Sequence, residues 1–391
     1  MALTLDGTNG IVSSGSITTQ SATGVIFSDS SNQGAAASPF SLKNRIINGD
    51  MVIDQRNAGA SVATSSSFLV YSVDRWYGLY SQTSKFTMQQ NAGSVTPPAG
   101  FTNYLGCTST SAYTVGSSEI FYIRQSIEGF NIADLAWGTA NARTITISFW
   151  VRSSLTGTFG GALQNSGATR SYPFSYTISS ANTWEQKSIT ITGDTTGTWL
   201  TNNGVGVGVQ FSLGAGTAAS GTAGSWQAAN LSSATGAVSV VGTNGATFYI
   251  TGVQLERNTT ATPFEWLPIS TELALCKRYY EKSYDYSVVP ATTTNVGRWN
   301  AGGTATGQTT GYVSGGHVVF QVEKRAIPTV TSYDAAGNSG KCTRFTLGAA
   351  DTNNQNVVVA DAATNGWFPF ADTGGTNDSG CGVHWVASSE L

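Results

Sequence analysis

VGVGVQFSL, residues Val205–Leu213, decides the fold class. Val205, Val207, Val209, Phe211 and Leu213 fall on one side of an extended chain; Gly206, Gly208, Gln210 and Ser212 fall on the other. Strict alternation with period two predicts a strand with one buried face. TITISFWVR, Thr144–Arg152, repeats the pattern with Ile145, Ile147, Phe149 and Val151 on one side. Working outward, further strand segments are expected at Ile46–Gln55, Phe68–Tyr80, Lys85–Gln90, Ile120–Gln125, Phe174–Ile178, Lys187–Thr192 and Phe248–Glu256. In the last, Phe248 and Ile250 share a face and then Val253 and Leu255 take over. That slip of one residue at Gly252 predicts a β-bulge. One helical piece interrupts, Asn131–Trp137, where Ile132, Leu135 and Ala136 fit helical spacing. Many short strands with Gly- and Ser-rich turns over residues 43–268 predict an all-β fold, a two-sheet sandwich of jelly-roll type.

Composition narrows the function classes. A chain of 391 residues suggests two or three domains at about 100–200 residues each. Charged residues are 10%, against a usual share near 25%. With 19 basic and 22 acidic residues the net charge is −3, which excludes a basic nucleic-acid binder. Hydrophobic residues at 40% and aromatics at 11% exclude intrinsic disorder and suffice for a sizeable core. No apolar run reaches the length of about 18 residues expected of a membrane helix. The opening MALTLDGTNG lacks a basic segment followed by an apolar one, so no signal peptide is expected. Cys107, Cys276, Cys342 and Cys381 form no CxxC pair. They read as free, mostly buried thiols of a protein made in a reducing cytoplasm, with Cys342 and Cys381 the one pair that could meet.

Four regions follow from the changes of pattern. Residues 1–42 scatter Ile11, Ile17, Val25, Ile26 and Phe27 among Gly, Ser, Thr and Asn, too little for a private core. They read as an extended attachment arm. Residues 43–268 are the sandwich. Residues 269–283 read as a linker helix, capped by Ser270 or Thr271, with Glu272 in its first turn. Its stripes Leu273, Cys276, Tyr280 and Leu275, Tyr279 exceed what one side of a short helix buries, so three copies meeting at an axis are expected. Residues 284–391 resume alternation, as at Val318, Phe320 and Val322, between long loops such as WNAGGTATGQTTG, and read as a smaller β tip domain.

Signals for catalysis are weak. Neither His317 nor His384 stands in HExxH spacing, and no GxSxG elbow occurs. Gly204, Gly206 and Gly208 mimic a nucleotide loop, but the valines between them alternate as a buried face. Asp351, Asn353 and Gln355 alternate oxygens without the turn glycine and closing glutamate of a calcium loop. Asn230, Asn258 and Asn377 begin glycosylation-type triplets that carry no meaning in a cytoplasmically made protein. Glu323 and Asp334 are the nearest thing to a catalytic acid, with no pattern behind them. No catalytic residues, cofactor or metal are expected. Aromatics are the better clue. Trp76, Tyr77, Trp137, Trp150 and Trp184 sit in or beside expected strands and read as core. Trp299 in GRWNAGG, and Trp367 with Phe368 in NGWFPF, sit among small polar residues. Exposed rings there would stack on sugar faces; the bland alternative is that they plug the tip domain or its contact with sister chains.

Several segments together resemble phage tail-fibre and related virion structural proteins: MALTLDGTNGI (1–11), NRIINGDMVIDQRNAG (44–59), VDRWYG (73–78), residues 248–284, AIPTVTSY (326–333) and ASSEL (387–391). The resemblance implies a jelly roll similar to carbohydrate-binding modules, a distal domain at a fibre tip and a homotrimer. It also implies attachment to other particle proteins through the arm, and binding of a host cell-surface glycan during adsorption. The expected location is the virion tail, after assembly in the host cytoplasm, with no nucleic-acid or membrane partner. Two alternatives stand beside it: a short tail-tip or head-decoration protein without ligand, and a polysaccharide depolymerase.

Overall fold

A computed structural model describes residues 25–26, 32–33, 42–64, 69–301, 312–314, 316–346, 350–372 and 379–391. The attachment arm falls almost wholly outside the described residues. Within it, Val25–Ile26 pairs antiparallel with Asn32–Gln33. Residues 1–43 form one compact unit by themselves and Asn44–Leu391 a second.

The second unit contains a sandwich of two six-stranded sheets. The front sheet runs Ser171–Ile178, Gly157–Gln164, Val205–Ala215, Ile120–Glu128, Tyr77–Tyr80, Leu69–Tyr71. The back sheet runs Glu185–Ile191, Ile145–Ser153, Thr247–Glu256, Leu105–Ser109, Phe86–Gln90, Val62–Ala63. All neighbours in both sheets are antiparallel. Val207, Val209, Phe211 and Leu213 from the front meet Ile145, Ile147, Phe149 and Val151 from the back in one buried core. Alternation put these residues inward, as the strand period requires. The slip at Gly252 is a bulge: the register against Ile145–Ser153 shifts between Thr251 and Gln254. Gly252 has φ +61°, and a Cβ there would lie 2.6 Å from the Phe101 ring.

Three local expectations fail for identifiable reasons. Ile46–Gln55 is not a strand. Asn48 (φ 57°) and Met51 (φ 61°) turn left-handed. The Asn48 amide donates to the carbonyls of Ile53 and Asp74, and its oxygen accepts the Ile53 N–H. Side-chain bonding to the local backbone replaces the ladder there. The 131–137 piece is two 3₁₀ turns, Gly129–Asn131 and Ala133–Leu135, instead of a helix. The linker helix is shorter than expected, Ile269–Lys277, and no side chain caps its start. Tyr280 is not on it: Tyr280–Lys282 is extended and pairs with the Ser379–Ser388 strand.

That last strand organises the C-terminal sheet. Ser379–Ser388 pairs with Tyr280–Lys282, Trp299–Ala301, Thr329–Tyr333 and Lys341–Thr346. Beyond Lys341–Thr346 lie Thr352–Ala363, Gly366–Asp372 and Tyr312–Ser314. The inner surface buries Val318, Phe320, Cys342, Trp367, Cys381, Val383, Trp385 and Ala387. All four cysteines are buried thiols.

The sandwich and the C-terminal sheet meet through buried charge. Arg56 and Arg75 both pair with the Glu390 carboxylate. The Arg75 guanidinium lies 3.6 Å above the Tyr279 ring, and that of Arg56 3.5 Å from the Tyr280 ring and 4.6 Å from Tyr71. Arg325 donates to the carbonyls of Ser389 and Glu390. Glu128 accepts both Arg278 nitrogens at 2.7 and 2.9 Å and the Tyr279 hydroxyl at 2.8 Å. Lys324 and Glu281 form a buried pair at 2.6 Å. Cys276 and Tyr279 of the helix region are covered by Ile47, Ile53, Val52 and Leu391. Of the two stripes, Cys276, Tyr279 and Tyr280 are buried within the chain, while Leu273 and Leu275 are half-buried.

Candidate functional site

The three rings picked from the sequence do not form one surface. NGWFPF is not a loop but the start of the Gly366–Asp372 strand. Successive side chains on a strand point to opposite faces. Trp367 accordingly faces inward and is 0% exposed, while Phe368 faces outward and is half-buried, stacked on the exposed His317 with ring centroids 4.8 Å apart. A ring with no exposed surface cannot stack on a sugar, so the exposed-loop reading of Trp367 is corrected. Trp299 is half-buried and packs against the same core as Trp367. Asp334 accepts N–H bonds from Ala336, Asn338 and Asn354, which hold its carboxyl below the usual range despite burial. It shapes a turn. Glu323 is exposed and accepts the Thr364 hydroxyl at 3.0 Å.

The motifs that carry the family resemblance build the junction. Asn48, Gln55 and Arg56 come from residues 44–59, Asp74 and Arg75 from VDRWYG, and Glu390 from ASSEL. Burial pushes the Asp74 carboxyl up to about 6, with Arg56 opposing. Burial pushes Glu272 up to about 7, opposed by the bond from the Asn48 N–H. Lys282 donates to the carbonyls of Gln55, Tyr286 and Val288, and burial lowers it to about 8. Every one of these groups faces protein. The junction is architecture.

A different group of polar residues occupies the outer face of the front sheet. Arg124 stands at its centre. Tyr77 lies opposite it on one neighbouring strand and Gln210 on the other. Tyr122 and Ser126 flank it along its own strand, and Gln164 stands opposite Gly208. The guanidinium rests on Gly208, where a Cβ would come within 2.1–2.3 Å of it. A side chain at this position would force the guanidinium to move. Arg124 Nη1 donates to Gln164 Oε1 at 2.9 Å and to Gln210 Oε1 at 3.3 Å. Gln164 Nε2 passes the chain on to Oδ1 of the exposed Asn230 at 2.7 Å. Tyr77 and Ser126 hydroxyls share a bond of 3.0 Å. Burial raises the Tyr122 hydroxyl, with Arg124 beside it opposing. These groups are buried, Gln210 at 0%, Ser126 at 2% and Arg124 at 9% exposure, so they bond to one another and form a closed polar layer over the sheet. Sequence reading placed Gly206, Gly208, Gln210 and Ser212 on the outer face but drew nothing from them. Arg124 and Gln164 come from other strands, so only the register assembles the group.

The back sheet carries an exposed feature. Phe101, Phe264 and Trp266 form a triad with centroids 4.7–5.2 Å apart, and Trp266 is 53% exposed. Shallow cavities of about 340 Å³ and 560 Å³ lie beside it in the chain, lined by Arg143, Arg257 and Asn258, and by Gln186, Lys187 and Thr262. Among the described residues no three metal-ligating side chains cluster, and no helix is long and apolar enough to cross a membrane.

No family model and no curated protein matches the chain. Among solved structures it is similar to the enzymatically active domain of tailspike protein 4 of bacteriophage CBA120, at 12% identity and a TM-score of 0.30, over 55% of this chain and 21% of that one. It is similar to a family 11 carbohydrate-binding module from Clostridium thermocellum in complex with a mixed-linked tetrasaccharide, at 13% identity and a TM-score of 0.26, over 49% of this chain and 96% of that one. A candidate sugar-binding protein from Bacteroides thetaiotaomicron is similar at 10% identity and a TM-score of 0.32, over 55% of this chain and all of that one. At these values the likenesses carry no argument about ligand or role; the sandwich is established by its own strand order and packing.

Proposed function

We propose that this protein is a non-enzymatic, glycan-binding component of a phage virion, with a tail fibre as the specific form. The observation that carries the binding reading is the ring cluster of Phe101, Phe264 and Trp266, with Trp266 53% exposed and free to stack on a sugar face. The virion reading is supported by the motif resemblance of residues 44–59, 73–78 and 248–284. Binding without cleavage is supported by the character of that cluster: it is built of aromatic rings, whereas glycoside hydrolysis works through two carboxyl groups. Attachment through residues 1–42 and assembly as a homotrimer belong to the same proposal.

The test is titration of host surface polysaccharide with the full chain and with Trp266→Ala. Loss of the exposed ring should weaken binding roughly tenfold. Polymer length should stay constant. Release of oligosaccharides refutes the non-enzymatic part; equal binding by the variant refutes the site.

A further inference from the structure

Two cavities continue from the ring cluster along the outer face of the back sheet. Phe149 and Val151 point into the core, so Trp150, Ser148 and Thr146 share the outer face with their cross-strand partners Gln186, Ser188 and Thr190. A Cβ at Gly252 would lie 2.6 Å from the Phe101 ring and 3.2 Å from that of Trp150, so these two rings meet over Gly252. The cavity of about 560 Å³ is lined by Gln186, opposite Trp150, and by Pro263, next in sequence to Phe264. The cavity of about 340 Å³ follows further along the same strands. The Thr190 hydroxyl donates to the Thr259 carbonyl at 3.1 Å and the Thr146 hydroxyl to the Asn258 carbonyl at 3.0 Å, which fastens its lining residues 257–259 to the sheet. Thr144, also in its lining, is six residues from Trp150, about 20 Å at about 3.4 Å per residue.

The far cavity is basic. Arg143 and Arg257 line it, both are exposed, and no carboxylate lines it. Arg143 makes no ion pair among the described residues. Asp134 meets Arg45 at 2.8 Å and Arg257 only at 3.7 Å. The adjoining acid, Glu256, is buried and accepts the Thr262 N–H, the Thr262 hydroxyl and the Gln254 amide. Two guanidinium groups beside one open cavity attract an anion with oxygens enough to meet both, and each can hold such a group through two N–H bonds.

We infer that the ring cluster and the two cavities form one track for an oligosaccharide bearing an anionic group, a carboxylate, sulfate or phosphate, which sits between Arg143 and Arg257. This rests on the glycan-binding reading above and narrows it to one chemical class.

The test titrates the full chain with three matched pairs of hexasaccharides: oligogalacturonate and its neutral methyl ester, sulfated and unsulfated dextran oligomers, phosphorylated and dephosphorylated mannan oligomers. The charged member of at least one pair should bind roughly three- to thirtyfold tighter, the range that two partly exposed charge pairs supply, and the pair that shows it names the anion. High salt should remove most of the preference, since both arginines are exposed. In Arg143→Gln/Arg257→Gln the preference should fall to about one while affinity for the neutral member holds. Arg152→Gln removes a charge from the same face outside the cavity and should keep the preference. A disaccharide of the preferred sugar, too short to span the track, should bind roughly tenfold more weakly or worse. The wild-type and salt comparisons need no variant, so they stand even if the double variant fails to fold. Three results overturn the inference: equal affinity within every pair, a preference that survives in the folded double variant, or a disaccharide that binds as well as the hexamer. If neutral members bind and Trp266→Ala weakens them while no pair shows a preference, the inference fails and the ring-cluster reading stands. If nothing in either series binds, both fail.

Discussion

Replacing Glu390 by Gln removes one negative charge from between two buried arginines. Arg56, Arg75 and Glu390 have side-chain exposures of 13%, 2% and 7%, so little water can replace the lost carboxylate. Breaking a buried ion pair from one side costs about 3–5 kcal/mol. The Gln amide keeps one acceptor, and Arg75 keeps its bond to the Ser126 carbonyl at 2.6 Å, which sets the expectation near the lower end, about 3 kcal/mol. The loss should appear where the pair acts, between the sandwich and the C-terminal sheet. Hydrogen exchange should accelerate first in Tyr280–Lys282 and the second half of Ser379–Ser388, which meet there. Urea unfolding of the single variants and of Arg75→Met/Glu390→Gln closes a double-mutant cycle, in which coupling of about 1–3 kcal/mol is expected. A single-variant loss below about 1 kcal/mol, with unchanged exchange in those strands, would refute the claim that this charge cluster holds the two halves together.

Three further outcomes are expected. Asp74 and Glu272 both bind a proton more tightly folded than unfolded, at about 6 and about 7 against 3.8 and 4.5. Their contribution is fully present below pH about 4 and is lost as pH rises through 6–7, about 3 kcal/mol each as an upper figure; a thermal midpoint that does not fall over this window, or falls equally in Glu272→Gln, contradicts it. Trp367→Ala should open a cavity and cost the C-terminal sheet about 3–5 kcal/mol by calorimetry, while leaving glycan affinity unchanged; weakened affinity with intact melting would restore the ring as a contact. Trp266→Ala, at an exposed position, should shift stability by no more than about 1 kcal/mol while weakening glycan binding, and unchanged affinity would refute the ring cluster as the site.

Much of the architecture was legible because alternation is a strong local signal. Val205–Leu213 and Thr144–Arg152 declared their buried faces, and the bulge at Gly252 showed as a change of phase. The failures share a cause. Ile46–Gln55 alternates, yet Asn48 satisfies the neighbouring backbone with its own amide and bends the chain. Tyr280 continued a helical stripe, yet the Ser379–Ser388 strand claimed it for pairing, a contact more than 100 residues away. The site was the least legible part. Trp367 and Phe368 stand side by side in sequence, and only knowledge of the strand separates the buried ring from the exposed one. Arg124 carries no local mark, and only the register brings Gly208, Gln164 and Gln210 round it.

The ion pair between Arg75 and Glu390 spans 315 residues of chain. At a synthesis pace of about 5–20 residues per second, Arg75 leaves the ribosome on the order of tens of seconds before its partner exists. During that interval the sandwich can close around its own valines and phenylalanines, but the surface that will receive the C-terminal sheet stays open and positively charged. A chain interrupted before residue 390 keeps that opening permanently. The junction therefore closes only after residue 390 has been made, and a chain cut short of it leaves Arg56 and Arg75 without that carboxylate.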